Sequence, residues 1–215
     1  MLITGGTGGV GGHLARWLAR EGAEHLLLVN RTGEGAAELL EELRGSGAEV
    51  TVAACDVTDR AALTELLAGI PAERPLTAVF HAAGVAGYGL VRELDVADLD
   101  AEMAARTLGA RHLDELTAEL GLDLDAFVVF STGASVWGSA GNGANAAAGG
   151  YLDGLIRGRR VRGLVGSSVS WGGWGATAMA VGRRRSGCRV VGCGCWSRSW
   201  RFGRCGRCWS RTRCR

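Results

Sequence analysis

Thr4-Gly5-Gly6-Thr7-Gly8-Gly9-Val10-Gly11 is the stretch on which the fold turns. The apolar run of residues 1–4 leads into it, and GVGGHLARWLARE, residues 9–21, leads out. In that second stretch Val10, Leu14, Trp17 and Leu18 recur at helical spacing. A strand passing through glycines into a helix opens a βαβ unit. Glycines make the turn tight and let the backbone approach a pyrophosphate, and the helix N-terminus adds its positive end. Thr4, Gly5, Thr7, Gly8, Gly9, Val10 and Gly11 are therefore the expected floor of a dinucleotide site.

Working outward, strand and helix patterns alternate, as in a parallel sheet covered on both faces. HLLLVN, residues 25–30, reads as a buried strand, and a helix is predicted over 35–45. Strands follow over 49–54, 77–81, 126–130 and 166–170, with helices over 59–68, 97–120 and 143–162. The expected fold is α/β, a single doubly wound parallel sheet of Rossmann type, truncated at both ends. Its span is residues 1–181, followed by a separate tail over 182–215.

The ends of the next strands supply the rest of the cofactor site. An acid after the second strand would bind the ribose hydroxyls of NAD; this chain has Asn30-Arg31, and a guanidinium suits a 2′-phosphate. NADPH is the expected cofactor. Asp56 and Val57 follow the third strand, where a carboxylate and a backbone N–H would grip the adenine. Ala82, Ala83 and Gly84 follow the fourth, where small residues pass beneath the nicotinamide ribose. His81 reads as a satisfied core histidine.

Composition separates the tail from the body. The net charge is +2, yet all 22 acidic residues and 13 of the 24 basic ones lie before residue 183. The remaining basic residues and six of the seven Cys fall in the tail, and Lys is absent throughout. Three Trp stand there among Arg, Gly, Ser and Cys without hydrophobic period. Coding sequence rich in G and C, read in a shifted frame, yields such a composition. A disordered basic tail, or zinc held by Cys193, Cys195, Cys205 and Cys208, are the other readings of these residues. No metal and no specific nucleic acid is expected. No stretch nears the roughly 20 apolar residues of a membrane span, and the N-terminus lacks the pattern of a secretion signal, so a cytoplasmic protein is expected.

The phrases TGGTGGVGGHLARWLAREGAEHLLLVNRTG, CDVTDRAAL, VFHAAGV, GARHLDELT, LDAFVVFST and YLDGLIRGRRVRGL resemble the ketoreductase domains of type I modular polyketide synthases, within the short-chain dehydrogenase superfamily. The resemblance runs from residue 1 to about 181. It implies NADPH-dependent reduction of a β-ketoacyl thioester, carried on an acyl carrier protein, to a β-hydroxyacyl thioester. It implies as partners that carrier protein and neighbouring synthase domains. A chain starting inside the first strand is expected to lack the family's preceding structural subdomain.

The same resemblance locates the catalytic positions. The family's Ser, which holds the carbonyl, is Thr132 here. Its Tyr, which protonates the forming alkoxide, is Asn145. Its Lys, which lowers the Tyr pKa, is Arg106, and the Asn of its proton relay is Gly149. Three of the four have lost the family's residue. Asn has no proton to give at neutral pH, and a guanidinium does not reproduce a compact ammonium. Tyr151, six residues past Asn145, is expected as a core packing residue, and Tyr88 as a loop residue. Trp137, eight before Asn145, marks by resemblance the class that makes L-configured alcohols; it and Asn142 are the expected substrate contacts. The expected function is an impaired ketoreductase, with a redox-silent, nucleotide-binding structural module as the alternative.

Overall fold

The computed structural model describes residues 1–35, 37–85 and 87–172. The expectations for the tail over 182–215, and for the body beyond residue 172, lie outside the described residues. Six strands form one sheet: β1 (Leu2–Thr4), β2 (His25–Asn30), β3 (Glu49–Ala54), β4 (Ala78–His81), β5 (Ala126–Thr132) and β6 (Ser167–Trp171). Their order is β3-β2-β1-β4-β5-β6, and every pairing is parallel. Among the described residues six helices join them: α1 (Gly9–Arg20), α2 (Ala37–Gly45), α3 (Arg60–Ala68), α4 (Val96–Glu119), a single turn α5 (Ala134–Trp137) and α6 (Gly143–Val161). This is the doubly wound Rossmann sheet read from the pattern.

Chain order explains where a ligand belongs. From β1 the chain builds outward through β2 to β3, then returns to lay β4 on the other side of β1. Ile3 accordingly pairs with Leu28 on one side and Phe80 on the other. The reversal opens a crevice at the carboxyl ends of β1 and β4, the place where open α/β sheets bind ligands. Thr4 ends β1 and His81 ends β4.

The core lies where helices cover these strands. Leu2, Val29, Val79, Phe127 and Val129 from the sheet meet Leu63, Leu67, Leu113, Leu116, Leu152 and Ile156 from α3, α4 and α6. Helix starts are set by side chains: the Asp59 carboxylate accepts from Ala61 N–H (2.9 Å) and Ala62 N–H (3.1 Å), and that of Asp95 from Asp98 N–H (2.8 Å). Such caps answer N–H groups that the helix cannot satisfy itself.

One buried ion cluster ties α4 to α6. Arg159, 1% exposed, donates from Nη1 to Asp114 Oδ1 (2.7 Å) and Thr117 Oγ1 (3.1 Å), and from Nε to the Val165 carbonyl (2.7 Å). Its guanidinium carbon lies 4.0 Å from the centre of the Phe127 ring. Arg162 adds a second cation on Asp114. Among the described residues no helix is long and apolar enough to cross a membrane.

Candidate active site

The glycine turn sits at the carboxyl end of β1. Gly5 takes φ +67°, and a Cβ there would come within 2.9 Å of Ala83 Cα. A Cβ on Gly11 would come 2.1 Å from the Gly5 carbonyl oxygen, so only glycine lets α1 fold back on the turn. Gly8 is the extended N-cap of α1 and carries no side-chain cap, which leaves the first-turn N–H groups facing the crevice end of the sheet. The cradle has the shape a pyrophosphate requires.

Around the turn, some expected contact residues are braces. Thr4 is fully buried; its hydroxyl oxygen accepts from Ala83 N–H (3.3 Å). The Asn30 amide donates to Thr7 Oγ1 (2.7 Å), and its oxygen accepts from Thr32 N–H (2.9 Å) and Gly33 N–H (2.6 Å). Asn30 thus shapes the loop after β2 and ties it to the glycine turn. Arg31 next to it is exposed. Asp56 follows β3, on the same side of the crevice as Arg31: hydrogen bonds from the backbone and hydroxyl of Thr58 hold its carboxyl below the usual range, and the Arg31 charge adds to this. Val57 is buried, and its carbonyl accepts from His112 Nδ1–H (3.1 Å).

His81 links the two halves of the site. Its Nε2 lies 3.0 Å from the Arg106 carbonyl, which only accepts, so Nε2 carries the proton. Nδ1 then accepts from Thr4 Oγ1–H at 2.8 Å. Burial lowers the His81 pKa to about 4, so the ring is neutral at ordinary pH. The expectation of a satisfied core histidine holds, but nothing in the sequence pointed to its bridge between the glycine turn and α4.

Arg106, Asn145 and Thr132 meet although they come from α4, α6 and the end of β5. Arg106 Nη1 donates to Asn145 Oδ1, and its Nη2 donates to the Phe130 carbonyl (3.3 Å). Asn145 Nδ2 donates to Thr132 Oγ1 (3.1 Å). Burial pulls the Arg106 pKa below the ordinary arginine value. Gly84 makes room for the Arg106 stem, since a Cβ there would lie 2.9 Å from Arg106 Cγ. Gly149 stands one helical turn beyond Asn145, against Thr132 and Ser135.

The rim residues are arranged around glycines too. The Trp137 ring lies over Gly133 and stays 63% exposed. Asn142 Nδ2 donates to Ser139 Oγ (3.0 Å), and Asn142 bridges to Gly89 in the loop after β4. Tyr88 packs on Gly141. Tyr151 corrects the expectation of a core residue. The sheet-facing side of α6 carries Ala144, Ala148, Leu152, Ile156 and Arg159, and Tyr151 falls just off it. It is 41% exposed, in a groove with Arg111, Glu115 and Leu155 on the α4–α6 surface. Among the described residues no group of three or more metal-ligating side chains occurs.

Fold and site define a Rossmann domain of the short-chain dehydrogenase type. The family model of the KR domain matches residues 1–176, and the chain belongs to that family, the ketoreductase domains of polyketide synthases. It is 51% identical over 185 residues to the pikromycin polyketide synthase component PikAIII of Streptomyces venezuelae, covering 85% of this chain and 12% of that protein. It is 49% identical over 185 residues to the erythronolide synthase EryA3 of Saccharopolyspora erythraea, covering 84% and 6%. A solved structure described as an A-type ketoreductase from a modular polyketide synthase superimposes with a TM-score of 0.79 at 54% identity, covering 85% of this chain and 39% of that one. The chain therefore spans a small part of its curated relatives.

Proposed function

We propose that this domain binds NADPH and receives a β-ketoacyl thioester from an acyl carrier protein of the same synthase, with reduction to the β-hydroxyacyl thioester impaired by its own residues. Gly5, Gly8, Gly9, Val10 and Gly11 would hold the pyrophosphate, Arg31 the 2′-phosphate and Asp56 with Val57 the adenine. Ala82, Ala83 and Gly84 would lie under the nicotinamide ribose. When bound, NADPH supplies the hydride.

The protein's part is to hold the carbonyl and deliver a proton to the oxygen. Thr132 Oγ1 already accepts from Asn145 Nδ2 and from Ala134 N–H, so its own proton is free to donate to a substrate carbonyl. Delivery is where the site fails. The hydrogen-bonded set Arg106–Asn145–Thr132 contains no group able to release a proton at neutral pH. That single observation carries the impaired reading. A missing general acid typically costs about 10²–10⁴ in rate. Trp137 and Asn142 border the opening and would contact the acyl chain.

Two measurements on the full chain test this. Titration with NADPH should show binding, and incubation with a β-ketoacyl thioester should show no turnover. Binding without turnover supports the proposal; robust turnover overturns the impairment, and no binding overturns the cofactor assignment.

A further inference from the structure

Position 149 has no room for a side chain, and one neighbour is chiefly responsible. An ideal Cβ on Gly149 would lie 2.7 Å from Thr132 Cγ2, 3.0 Å from Ser135 Cβ and 3.1 Å from Ser131 Oγ. Carbon–carbon contacts settle near 3.5–4.0 Å, so the first of these is a collision. Thr132 cannot relieve it cheaply. It is β-branched, and turning χ1 would carry Oγ1 away from Asn145 Nδ2 (3.1 Å) and Ala134 N–H (3.3 Å). The Ser131 hydroxyl donates to the Gly149 carbonyl at 3.2 Å, which pins the helix backbone against β5.

We infer that Thr132 and Gly149 form one steric unit, in which the methyl of Thr132 excludes any side chain from position 149. Thr132 is therefore a positioning residue as well as a hydroxyl donor. With serine at 132 the worst contact disappears, and the remaining two ask for shifts of a few tenths of an ångström. The inference rests on the proposed catalytic reading only in its consequence: a relay side chain at 149 becomes admissible once Thr132 is Ser.

A thermal-unfolding cycle on the full chain tests the steric unit without using activity. Gly149→Ala should lower Tm by about 5 °C, as overpacking a tight site does. In a Thr132→Ser background the same substitution should cost clearly less, since only the contacts at 3.0 Å and 3.1 Å remain. Gly150→Ala, whose Cβ would meet nothing within 4 Å, should raise Tm equally in both backgrounds. An equal loss from Gly149→Ala in both backgrounds overturns the inference. The catalytic consequence is read separately as kcat. Adding Thr132→Ser to the triple variant Asn145→Tyr, Arg106→Lys, Gly149→Asn should raise kcat about tenfold or more, since misplacement of order 1 Å costs about 10²-fold. A Tm cycle with coupling but no turnover in any variant keeps the steric unit and removes the catalytic reading.

Discussion

Thr4 Oγ1 and His81 Nδ1 lie 2.8 Å apart, and the proton between them belongs to the threonine. That assignment makes His81 a neutral acceptor whose protonation the fold opposes. Its pKa is about 4 in the folded chain against 6.5 for an ordinary histidine. Between these values the unfolded chain binds a proton that the folded chain does not, so stability falls as pH falls from 6.5 to 4 and levels off below. From pH 7 to 4.5 the loss should be ~2 kcal/mol. Denaturant unfolding at both pH values measures it. His81→Gln should be less stable at pH 7 and show a flatter slope across that window; an unchanged slope would remove His81 as its source.

Cofactor selection is the second test. Arg31→Ala should weaken NADPH about tenfold or more, as loss of a charged hydrogen bond does, while leaving NADH nearly unchanged. Gly11→Ala should abolish binding of both, because its Cβ would sit 2.1 Å from the Gly5 carbonyl oxygen. Fluorescence titration reads both. A preserved NADPH preference in Arg31→Ala places the 2′-phosphate elsewhere.

Helix α6 contains glycines that its packing does not require. A Cβ on Gly150, Gly154 or Gly158 would meet nothing within 4 Å. Each change to Ala should stabilise by about 0.5–1 kcal/mol, since alanine loses less backbone entropy on forming helix. The midpoint of denaturant unfolding should rise in each variant and additively in the triple. A fall would show that the exposed face of α6 is covered by something that needs those glycines.

Asp114→Asn should be the most damaging conservative change in the domain. It leaves Arg159, 1% exposed, with its charge uncompensated beside Phe127. Removing one partner of a buried pair costs about 3–5 kcal/mol. Unfolding free energies of wild type and variant measure this, and a loss below 1 kcal/mol would mean the carbonyls of Val165 and Asp114 and the Thr117 hydroxyl suffice to hold Arg159.

For catalysis, Asn145→Tyr alone should give little or no turnover, because the phenol would meet Arg106 rather than an ammonium. With Thr132→Ser added to admit a side chain at 149, the combined change Asn145→Tyr, Arg106→Lys, Gly149→Asn should exceed the single changes combined, since groups acting as a unit are not additive. Steady-state reduction of a β-ketoacyl thioester measures each. Comparable turnover in the single variants and in the combined variant carrying Thr132→Ser would show that the catalytic positions carried over by resemblance are misaligned.

Much of this architecture is legible in the linear chain. HLLLVN and EVTVAA became β2 and β3 at the residues read, and Gly5–Gly11 fell at a strand–helix junction. Strand and helix announce themselves by local period, and a glycine turn by its composition, so these needed no partner to be recognised. The single turn Val91–Glu93 and helix α5 were missed because three or four residues carry no period. Tyr151 was read as core, yet at one step of about 100° from Leu152 it leaves the sheet-facing side of α6. The resemblance named Thr132, Asn145, Arg106 and Gly149 one by one. Only the folded chain decided that the first three share hydrogen bonds and that Thr132 fills the space at Gly149. Those two residues are 17 apart and sit on different elements. Their contact depends on how closely α6 lies on β5, and an interior packed without voids turns a single methyl there into a constraint that no local pattern records.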